Sequence, residues 1–262
     1  MPDIRRKVRI GYTRMSELDV VVLGLARDCA VRLPATLERV EVLGTKFKSW
    51  AAAFVENDSK DKTPRILQKW KDGRENIRIE TTQQGMKKWG MVRSGERGKQ
   101  MAAYRNRCRK LARPLIKQAD AVIVLDTDLV DWSLDGIATS FASWGDWDAM
   151  ASCGVRYQKY RGKRRWVQAD AWALRRNGWK ARSFHDQATF VPPIGDPLVP
   201  VRSAFGGLGI YTAEAYLSAP YGGGDCEHVV LHKNLVKKGF KRFFLNPSQV
   251  VYYNTNSGKL RK

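Results

Sequence analysis

The sequence is poor in the residues that build disulfide frameworks and zinc sites, since its 262 residues include only four cysteines and three histidines. The cysteines lie far apart and none forms a Cys-x-x-Cys pair, which argues against a zinc ribbon or a thioredoxin motif. We expect reduced, mostly buried thiols in an intracellular protein. The four residues concerned are Cys29, Cys108, Cys153 and Cys226.

Long apolar runs are also missing. The longest, such as residues 20–26 and 121–125, have the length of a strand, whereas a helix that spans a bilayer needs about 20 apolar residues. The basic N-terminus is not followed by the apolar stretch and small-residue cleavage site of a secretory signal. We therefore expect no transmembrane segment and a cytoplasmic location.

Acidic residues are greatly outnumbered by basic ones. The chain has 47 Lys and Arg against 26 Asp and Glu, a formal net charge of +21, and a pI near 10.1. Such an excess repels itself in the folded state and indicates a polyanionic partner, although a general surface property is an alternative. The charge is concentrated: residues 87–117 hold eleven basic residues and one acid, and residues 159–182 hold nine and one.

What the sequence does contain is an alternation of strands and helices. Strands are predicted at 20–25, 50–55, 77–79 and 121–125, and the intervening helices begin near Pro34, at Thr63-Pro64 and near residue 99. Further strands are predicted near 149–153, 166–174, 204–211 and 249–253, with a helix over 226–238. The pattern predicts an α/β fold: one compact domain whose mixed, mainly parallel sheet is flanked by helices.

Polar clusters follow three of the predicted strands, at Ala26-Arg27-Asp28, Glu56-Asn57-Asp58 and Asp126-Thr127-Asp128. In parallel α/β sheets, ligands bind in the crevice beyond the C-terminal ends of the strands. The three clusters therefore predict one composite site.

The Asp126-Thr127-Asp128 motif has the pattern of a metal site. Residues two apart in an extended segment share a face, so both carboxylates can approach one hard cation that also bridges a diphosphate. An EF-hand is excluded, because Val130 stands where an oxygen ligand belongs and the required glycine is missing. A haloacid-dehalogenase-type phosphatase stays open as an alternative, but its later paired aspartates are absent and its motif normally follows the first strand.

From Val20 to Tyr253 the chain resembles the GT-A glycosyltransferases, particularly their family-2-like members. The resembling motifs are Val55-Glu56-Asn57-Asp58-Ser59, Tyr104-Arg105-Asn106, the Asp126-Thr127-Asp128 motif, Ala204-Phe205-Gly206-Gly207-Leu208 and Asp225-Cys226-Glu227-His228. The resemblance implies transfer of a sugar from a nucleotide-sugar, with a UDP-sugar as the expected donor and Mn2+ or Mg2+ as the metal. The implied donor-binding residues are Ala26, Arg27, Glu56, Asp58, Arg105, Asp126, Gly206 and Gly207.

The resemblance also implies that one acid of the Asp225-Cys226-Glu227 segment is the catalytic base. This segment departs from the family's usual acidic pair, so the choice between Asp225 and Glu227 stays open, and with it the stereochemistry. His228 is predicted to join Asp126 and Asp128 as a metal ligand, whereas His232 is interpreted as an ordinary helix histidine. Glu56 and Asp58 have an alternative role as caps of the helix near Thr63.

The second basic stretch interleaves cations with aromatic rings, a combination that holds nucleic acid. Its predicted contacts are Lys163, Arg164, Arg165, Trp166, Arg175 and Arg176. We therefore expect DNA as acceptor, through a hydroxymethylated base such as 5-hydroxymethylcytosine, as in bacteriophage DNA glucosylation within the host cytoplasm. Alternatives are a glycan acceptor, a nucleic-acid-binding protein without catalysis, and a solvated basic hairpin whose tryptophans face the core.

The chain is accordingly divided into four predicted segments. These are a basic N-terminal segment (1–18), a nucleotide-sugar-binding half (19–130), an acceptor-binding and catalytic half (131–255) and a basic tail (256–262).

Overall fold

The computed structural model describes residues 2–90 and 92–254, so the predicted basic tail lies outside the described residues. Its helices are α1 (Pro2–Met15), α2 (Leu33–Gly44), α3 (Thr63–Lys71), α4 (Gly95–Ile116), α5 (Leu134–Phe141), α6 (Phe184–Ala188), α7 (Ala213–Ser218) and α8 (Glu227–Lys237). Its strands are β1 (Asp19–Ala26), β2 (Ser49–Asn57), β3 (Ile77–Thr82), β4 (Ala121–Asp126), β5 (Asp131–Trp132), β6 (Ala149–Tyr160), β7 (Lys163–Gln168), β8 (Val199–Pro200), β9 (Leu208–Thr212) and β10 (Phe243–Tyr252).

These strands form one sheet in the order β3-β2-β1-β4-β9-β6-β10-β5, with β7 paired to β6 and β8 paired to β10. The pairs β3-β2, β2-β1, β1-β4 and β6-β10 are parallel. Strand β9 runs antiparallel between β4 and β6. The predicted mixed, mainly parallel sheet is confirmed.

Both faces of the sheet are covered by helices. Alternate residues of a strand point to opposite faces, so Val21 and Leu23 pack beneath α4, α7 and α8, whereas Val20 and Val22 pack against α1, α2, α3 and α5. The four cysteines are buried and free, as the sequence predicts. Within the described residues, no helix is long and apolar enough to cross a membrane.

Local sequence explains where the helices near the site begin. Pro34 and Pro64 each occupy the first turn of a helix, where the missing N–H costs nothing. The Ser94 side chain accepts a hydrogen bond from the backbone N–H of Arg97 at 3.2 Å and caps α4. The N-terminal segment is itself helical: α1 packs on α5, and Gly11 allows the close approach because a Cβ there would collide with the backbone of Ala138.

Two predicted strands are partly wrong. Residues 169–174 form turns instead of continuing β7, and residues 204–207 form a turn that precedes β9. In this turn Gly206 and Gly207 have φ of 68° and 88°, a region that glycine enters without steric cost. Both turns lie beside the cavity described below. The alternation of polar and apolar residues therefore predicted strands wrongly at the two places where the chain leaves the sheet to form the site.

The glycine turn packs against β6 through Gly154. A Cβ at Gly154 would come far inside van der Waals contact with the Gly206 carbonyl oxygen, a rigid backbone atom. We expect Gly154→Ala to destabilise the fold by about 1 to 3 kcal/mol, the usual cost of overpacking. Thermal or urea unfolding measures this, and Gly178→Ala, where the added methyl meets open space, should show no comparable loss. Equal stability of the two variants would contradict the packing described.

Candidate functional site

Two adjoining cavities open at the C-terminal ends of β1 and β4. The first, of about 330 Å3, extends toward β7 and α8, and the second, of about 260 Å3, extends toward the ends of β1 and β2. Four residues line both cavities: Arg97, Met101, Asp126 and Asp128. The predicted metal motif thus lies at the junction of two ligand-sized spaces.

Asp126 is held from both sides. Its Oδ1 accepts a hydrogen bond from Nη2 of Arg105 at 3.0 Å, and its Oδ2 accepts one from the Tyr253 hydroxyl at 2.9 Å. Arg105 projects from α4, is 4% exposed, and also contacts Oε1 of Glu227 through Nε at 3.3 Å. Burial alone would lower the pKa of this guanidinium, but the charges of Asp126 and Glu227 raise it well above its ordinary value. Arg105 is thus a permanently charged bridge between two carboxylates, a position that sequence analysis had not foreseen.

Asp128 is the more open carboxylate of the motif. Its side chain is exposed at the junction of the cavities, and its backbone carbonyl accepts a hydrogen bond from Arg32 at 2.7 Å. The surrounding protein atoms raise the pKa of the Asp128 carboxyl, and the nearby charge of Asp126 raises it further. A hydrogen bond from its own backbone and the charges of Arg32 and Arg156 partly offset this rise in pKa. A carboxylate exposed in a cavity is a suitable ligand for a hard cation.

The two acids predicted as alternative bases lie in different places. Glu227, at the start of α8, lines the first cavity, whereas Asp225 does not. Both oxygens of Asp225 contact Nη2 of the buried Arg175, at 2.9 and 3.2 Å, and Oδ1 also accepts the Cys226 N–H. Of the two acids, Glu227 is therefore the one that a ligand in the first cavity could contact.

His228 lines the first cavity, as a predicted metal ligand should. Its ring stacks on Phe205 with centroids 3.7 Å apart, and neither ring nitrogen has a hydrogen-bond partner among the described residues. Burial lowers the pKa of His228 well below its ordinary value, and the charge of Arg105 lowers it further. The neutral ring of His228 thus retains a nitrogen lone pair. His232, in contrast, contacts the Ser203 hydroxyl at 3.0 Å inside the core.

Asp170 is a cavity residue that the motif analysis missed. It lies in the turn after β7 and lines the first cavity together with Asp126, Asp128 and Glu227. Burial raises the pKa of its carboxyl to about 7, with further contributions from the charges of Asp126 and Glu227. The sequence signal was a lone acid in a basic stretch, which is too common to single out a site residue.

The second cavity contains the predicted Ala26 and Arg27. Arg27 donates to the carbonyl oxygen of Met86 at 2.8 Å and so holds the loop after β3 against the site. The same cavity includes Asn57 and Tyr104, which belong to two of the predicted motifs, and Trp89 and Gln100, which no motif had marked. A tryptophan and a tyrosine beside polar groups form a suitable surface for a flat, heteroatom-rich ring such as a nucleobase.

Glu56 and Asp58 line neither cavity. Asp58 accepts hydrogen bonds from the backbone N–H groups of residues 84–86 and thereby anchors the loop that carries Trp89. Glu56 is buried, accepts a hydrogen bond from the Ser59 N–H at 2.9 Å, and keeps a second oxygen without a partner in the described chain. Their predicted contact with the nucleotide stays a prediction, and the structure gives them a role in shaping the cavity.

The glycine pair shapes the site through its backbone. A Cβ at Gly206 would collide with the backbone of Ser152, and one at Gly207 would meet the Tyr253 hydroxyl that holds Asp126. The Gly206 N–H donates to Oδ2 of Asp170 at 3.2 Å. Neither glycine lines a cavity, so their predicted donor contact stays untested.

The predicted nucleic-acid contacts divide into exposed and internal groups. Lys163, Arg164 and Arg165 are exposed on the hairpin of β6 and β7, whose other residues line the first cavity. Trp166 packs edge-on between Tyr157 and Tyr252, so it belongs to the packing of the hairpin. Arg175 is buried against Asp225 and Arg176 is half-buried over Phe190, positions that do not fit a phosphate contact.

Two further arginines, Arg93 and Arg97, stand in the first cavity. Their guanidinium groups lie over the rings of Phe184 and Trp172, at 4.5 and 5.1 Å from the ring centroids. Within the described part of the chain, neither is within 4.0 Å of a carboxylate. A stacked guanidinium keeps the N–H groups at its edge for an anion.

The residues around the junction fit a divalent metal whose coordination shell is supplied partly by the protein and partly by a bound ligand. No group of three His, Cys, Asp or Glu side chains among the described residues forms a metal cage. Mg2+ and similar ions, however, are bound by one or two carboxylates together with phosphate oxygens and water. Asp128 and His228, whose Nε2 lies 3.6 Å from Oε1 of Glu227, are the candidate ligands, and both oxygens of Asp126 already accept hydrogen bonds.

No protein-family model matches this sequence, and a search of curated protein sequences yields no match. Solved structures with similar folds include the mannosyltransferase PcManGT from Pyrobaculum calidifontis in complex with GDP-Man and Mn2+ (12% identity, TM-score 0.50, covering 96% of this chain and 63% of that chain). A second is GalNAc-T7 with UDP, GalNAc and Mn2+ (10% identity, TM-score 0.52, covering 90% of this chain and 44% of that chain). A third is S. aureus TarS 1-349 in complex with UDP-GlcNAc (13% identity, TM-score 0.50, covering 92% of this chain and 60% of that chain).

This chain thus spans less than two thirds of the length of those proteins. At such low identity the similarity defines a fold and no more. The chain has the GT-A fold, a Rossmann-like sheet flanked by helices, which confirms the predicted fold class.

The Arg105 bridge gives a test of the site's stability. Arg105→Met leaves the buried Glu227 and the half-buried Asp126 without their common cation, and removal of one partner of a buried pair costs about 3 to 5 kcal/mol. Urea unfolding at neutral pH should show this loss, and Arg113→Met, an exposed position on the same helix, should not. The deficit should shrink as the pH falls and the orphaned carboxylates protonate. A variant as stable as the parent at neutral pH would show that the bridge is not structural.

Proposed function

We propose that the protein is a metal-dependent glycosyltransferase that moves a sugar from a nucleotide-sugar, with a UDP-sugar as the favoured donor, to an acceptor hydroxyl. The observation that carries this proposal is the meeting of two cavities at Asp126 and Asp128. A nucleotide-sugar is a bipartite ligand whose diphosphate separates base from sugar. Placing the diphosphate at the junction puts the base in the cavity with Trp89 and the sugar in the cavity with Glu227 and Asp170.

In this arrangement Asp128, with His228 nearby, would hold the metal. When bound, a divalent ion supplies Lewis-acid stabilisation of the departing diphosphate. The protein's own groups would do the rest: Arg97, at the junction, faces phosphate charge, and Arg105 keeps Asp126 and Glu227 in place. The neighbours with TM-scores of 0.50 to 0.52, solved with GDP-Man and Mn2+, with UDP, GalNAc and Mn2+, and with UDP-GlcNAc, support the same ligand class for this fold.

The donor reaction can be tested before the acceptor is known. Incubation of the full chain with Mn2+ and a panel of nucleotide-sugars (UDP-glucose, UDP-GlcNAc, GDP-mannose) should release nucleoside diphosphate slowly by transfer to water. Asp128→Asn should reduce this release by at least about 100-fold, because the metal-binding carboxylate is lost. Asp196→Asn, an exposed acid outside both cavities, serves as the matched control. Metal-independent release that is unaffected by Asp128→Asn would refute the proposal.

For the acceptor, we propose a hydroxymethylated base in DNA, such as 5-hydroxymethylcytosine. Three exposed cations, Lys163, Arg164 and Arg165, extend from the hairpin that walls the first cavity, and Arg93 and Arg97 stand inside that cavity. A base flipped into the cavity would leave its flanking phosphates near these cations. Such a substrate is met in the cytoplasm of a phage-infected cell.

DNA binding should depend on the hairpin and on salt. We expect affinity for a short duplex containing 5-hydroxymethylcytosine to fall with rising salt, with a logarithmic slope of about −0.9 per phosphate contact. Replacing Lys163, Arg164 and Arg165 with Ala should weaken binding and flatten this slope. The control removes the same number of charges from α1 (Arg5, Arg6 and Arg9 to Ala), which lines neither cavity.

An absence of duplex binding at low salt, or equal effects of the two triple variants, would reject DNA as acceptor. It would leave the donor chemistry intact and favour an anionic glycan, the second acceptor class compatible with a cationic cavity wall. Mass spectrometry of hydroxymethylated DNA after incubation with the donor panel decides between the two acceptors directly.

A further inference from the structure

Four carboxylates line the first cavity, more than the proposed reaction needs, and two of them are bonded to protein side chains. Asp126 is bonded by Arg105 and Tyr253, and Glu227 is bonded by Arg105. These contacts occupy carboxylate oxygens that the proton of a substrate would otherwise reach. Outside the cavity, Asp225 is similarly occupied by Arg175.

Asp170 differs from these acids in its partners. The hydrogen bond recorded for its carboxylate is from the Gly206 N–H to Oδ2, and no Lys or Arg of the described chain lies within 4.0 Å. One oxygen is therefore oriented by the backbone while the other is left for a ligand in the cavity. The backbone that donates this hydrogen bond is closely packed, because a Cβ at Gly206 would collide with the backbone of Ser152.

The surroundings of Asp170 also suit proton transfer. Asp126 and Glu227 bear negative charge nearby, with Arg97 as the balancing cation, and burial is the largest influence on the group. A carboxyl whose pKa is raised to about 7 is both available as a base at neutral pH and basic enough to take a proton from a hydroxyl.

We propose that Asp170 is the catalytic base that accepts the proton of the attacking hydroxyl. This assignment rests on the proposed glycosyltransferase function and replaces Glu227 and Asp225 in that role. The acceptor oxygen forms a bond to the anomeric carbon, its proton passes to the free oxygen of Asp170, and the bond from the anomeric carbon to the diphosphate breaks. The diphosphate leaves with the electron pair, so the step needs no further reactant. Glu227 then has a positioning role through Arg105.

The test uses hydrolysis of the best donor of the panel by the full chain with Mn2+, with water as the acceptor. Asp170→Asn keeps an oxygen that can accept the Gly206 N–H, so it should preserve the thermal stability and the donor KM while kcat falls by at least about 100-fold. Asp170→Gly opens space for a small acid. Added formate should restore part of the lost kcat of this variant, which a purely structural role would not allow.

Formate should restore nothing in Glu227→Gly, in which the lost acid is a positioning residue, and Asp196→Asn should behave as the parent. Parental kcat in Asp170→Asn, a raised donor KM with unchanged kcat, or formate rescue of Glu227→Gly in place of Asp170→Gly would overturn the proposal. A parent protein that hydrolyses no donor would overturn the glycosyltransferase function itself, so the two failures are distinguishable.

Discussion

The ion-pair bridge of Asp126, Arg105 and Glu227 is the interaction on which the site depends. It joins the end of β4 to the start of α8 through a side chain of α4, residues that are 21 and 122 positions from Arg105 in the sequence. A carboxylate cluster in a partly desolvated cavity repels itself and costs folding free energy unless a cation lies among its members. Arg105 supplies that cation from inside the protein, so the cluster persists before any metal or substrate arrives.

The bridge also separates the four acids of the site into two that are bonded by Arg105 and two that are not. By occupying Asp126 and Glu227, Arg105 leaves Asp128 and Asp170 as the carboxylates that no guanidinium bonds, one at the junction of the cavities and one in the first cavity alone. Their environments differ because Asp128 is open to solvent and Asp170 is held by a backbone N–H. Two acids with different surroundings can serve two purposes, which in the proposed reaction are metal binding and proton transfer.

The sequence was sufficient for the frame of the fold and insufficient for much of the site. The strands at Val20, Ser49 and Ala121 and the position of Asp126 and Asp128 follow from periodicity and from the chemistry of strand ends. Arg105, Asp170, Arg93 and Trp89 could not be assigned in this way, because their roles depend on tertiary neighbours. The assignment of 169–174 and 204–207 to strands failed because a glycine turn and its partner loop, both set by non-local packing, override local alternation.

The distribution of charge in the first cavity bears on what can enter it. Asp126, Asp128, Asp170 and Glu227 line this cavity together with the ring-stacked Arg93 and Arg97, neither of which has a carboxylate of the described residues within 4.0 Å. A polyanion could not approach the acids alone, since like charges in low dielectric repel strongly. In the proposed function, the cations at the wall, a metal ion at Asp128 and the basic hairpin outside would together offset that repulsion. The net charge of +21 is thus not a surface property alone, because Arg93 and Arg97 line the cavity that the proposed phosphate-bearing substrate would enter.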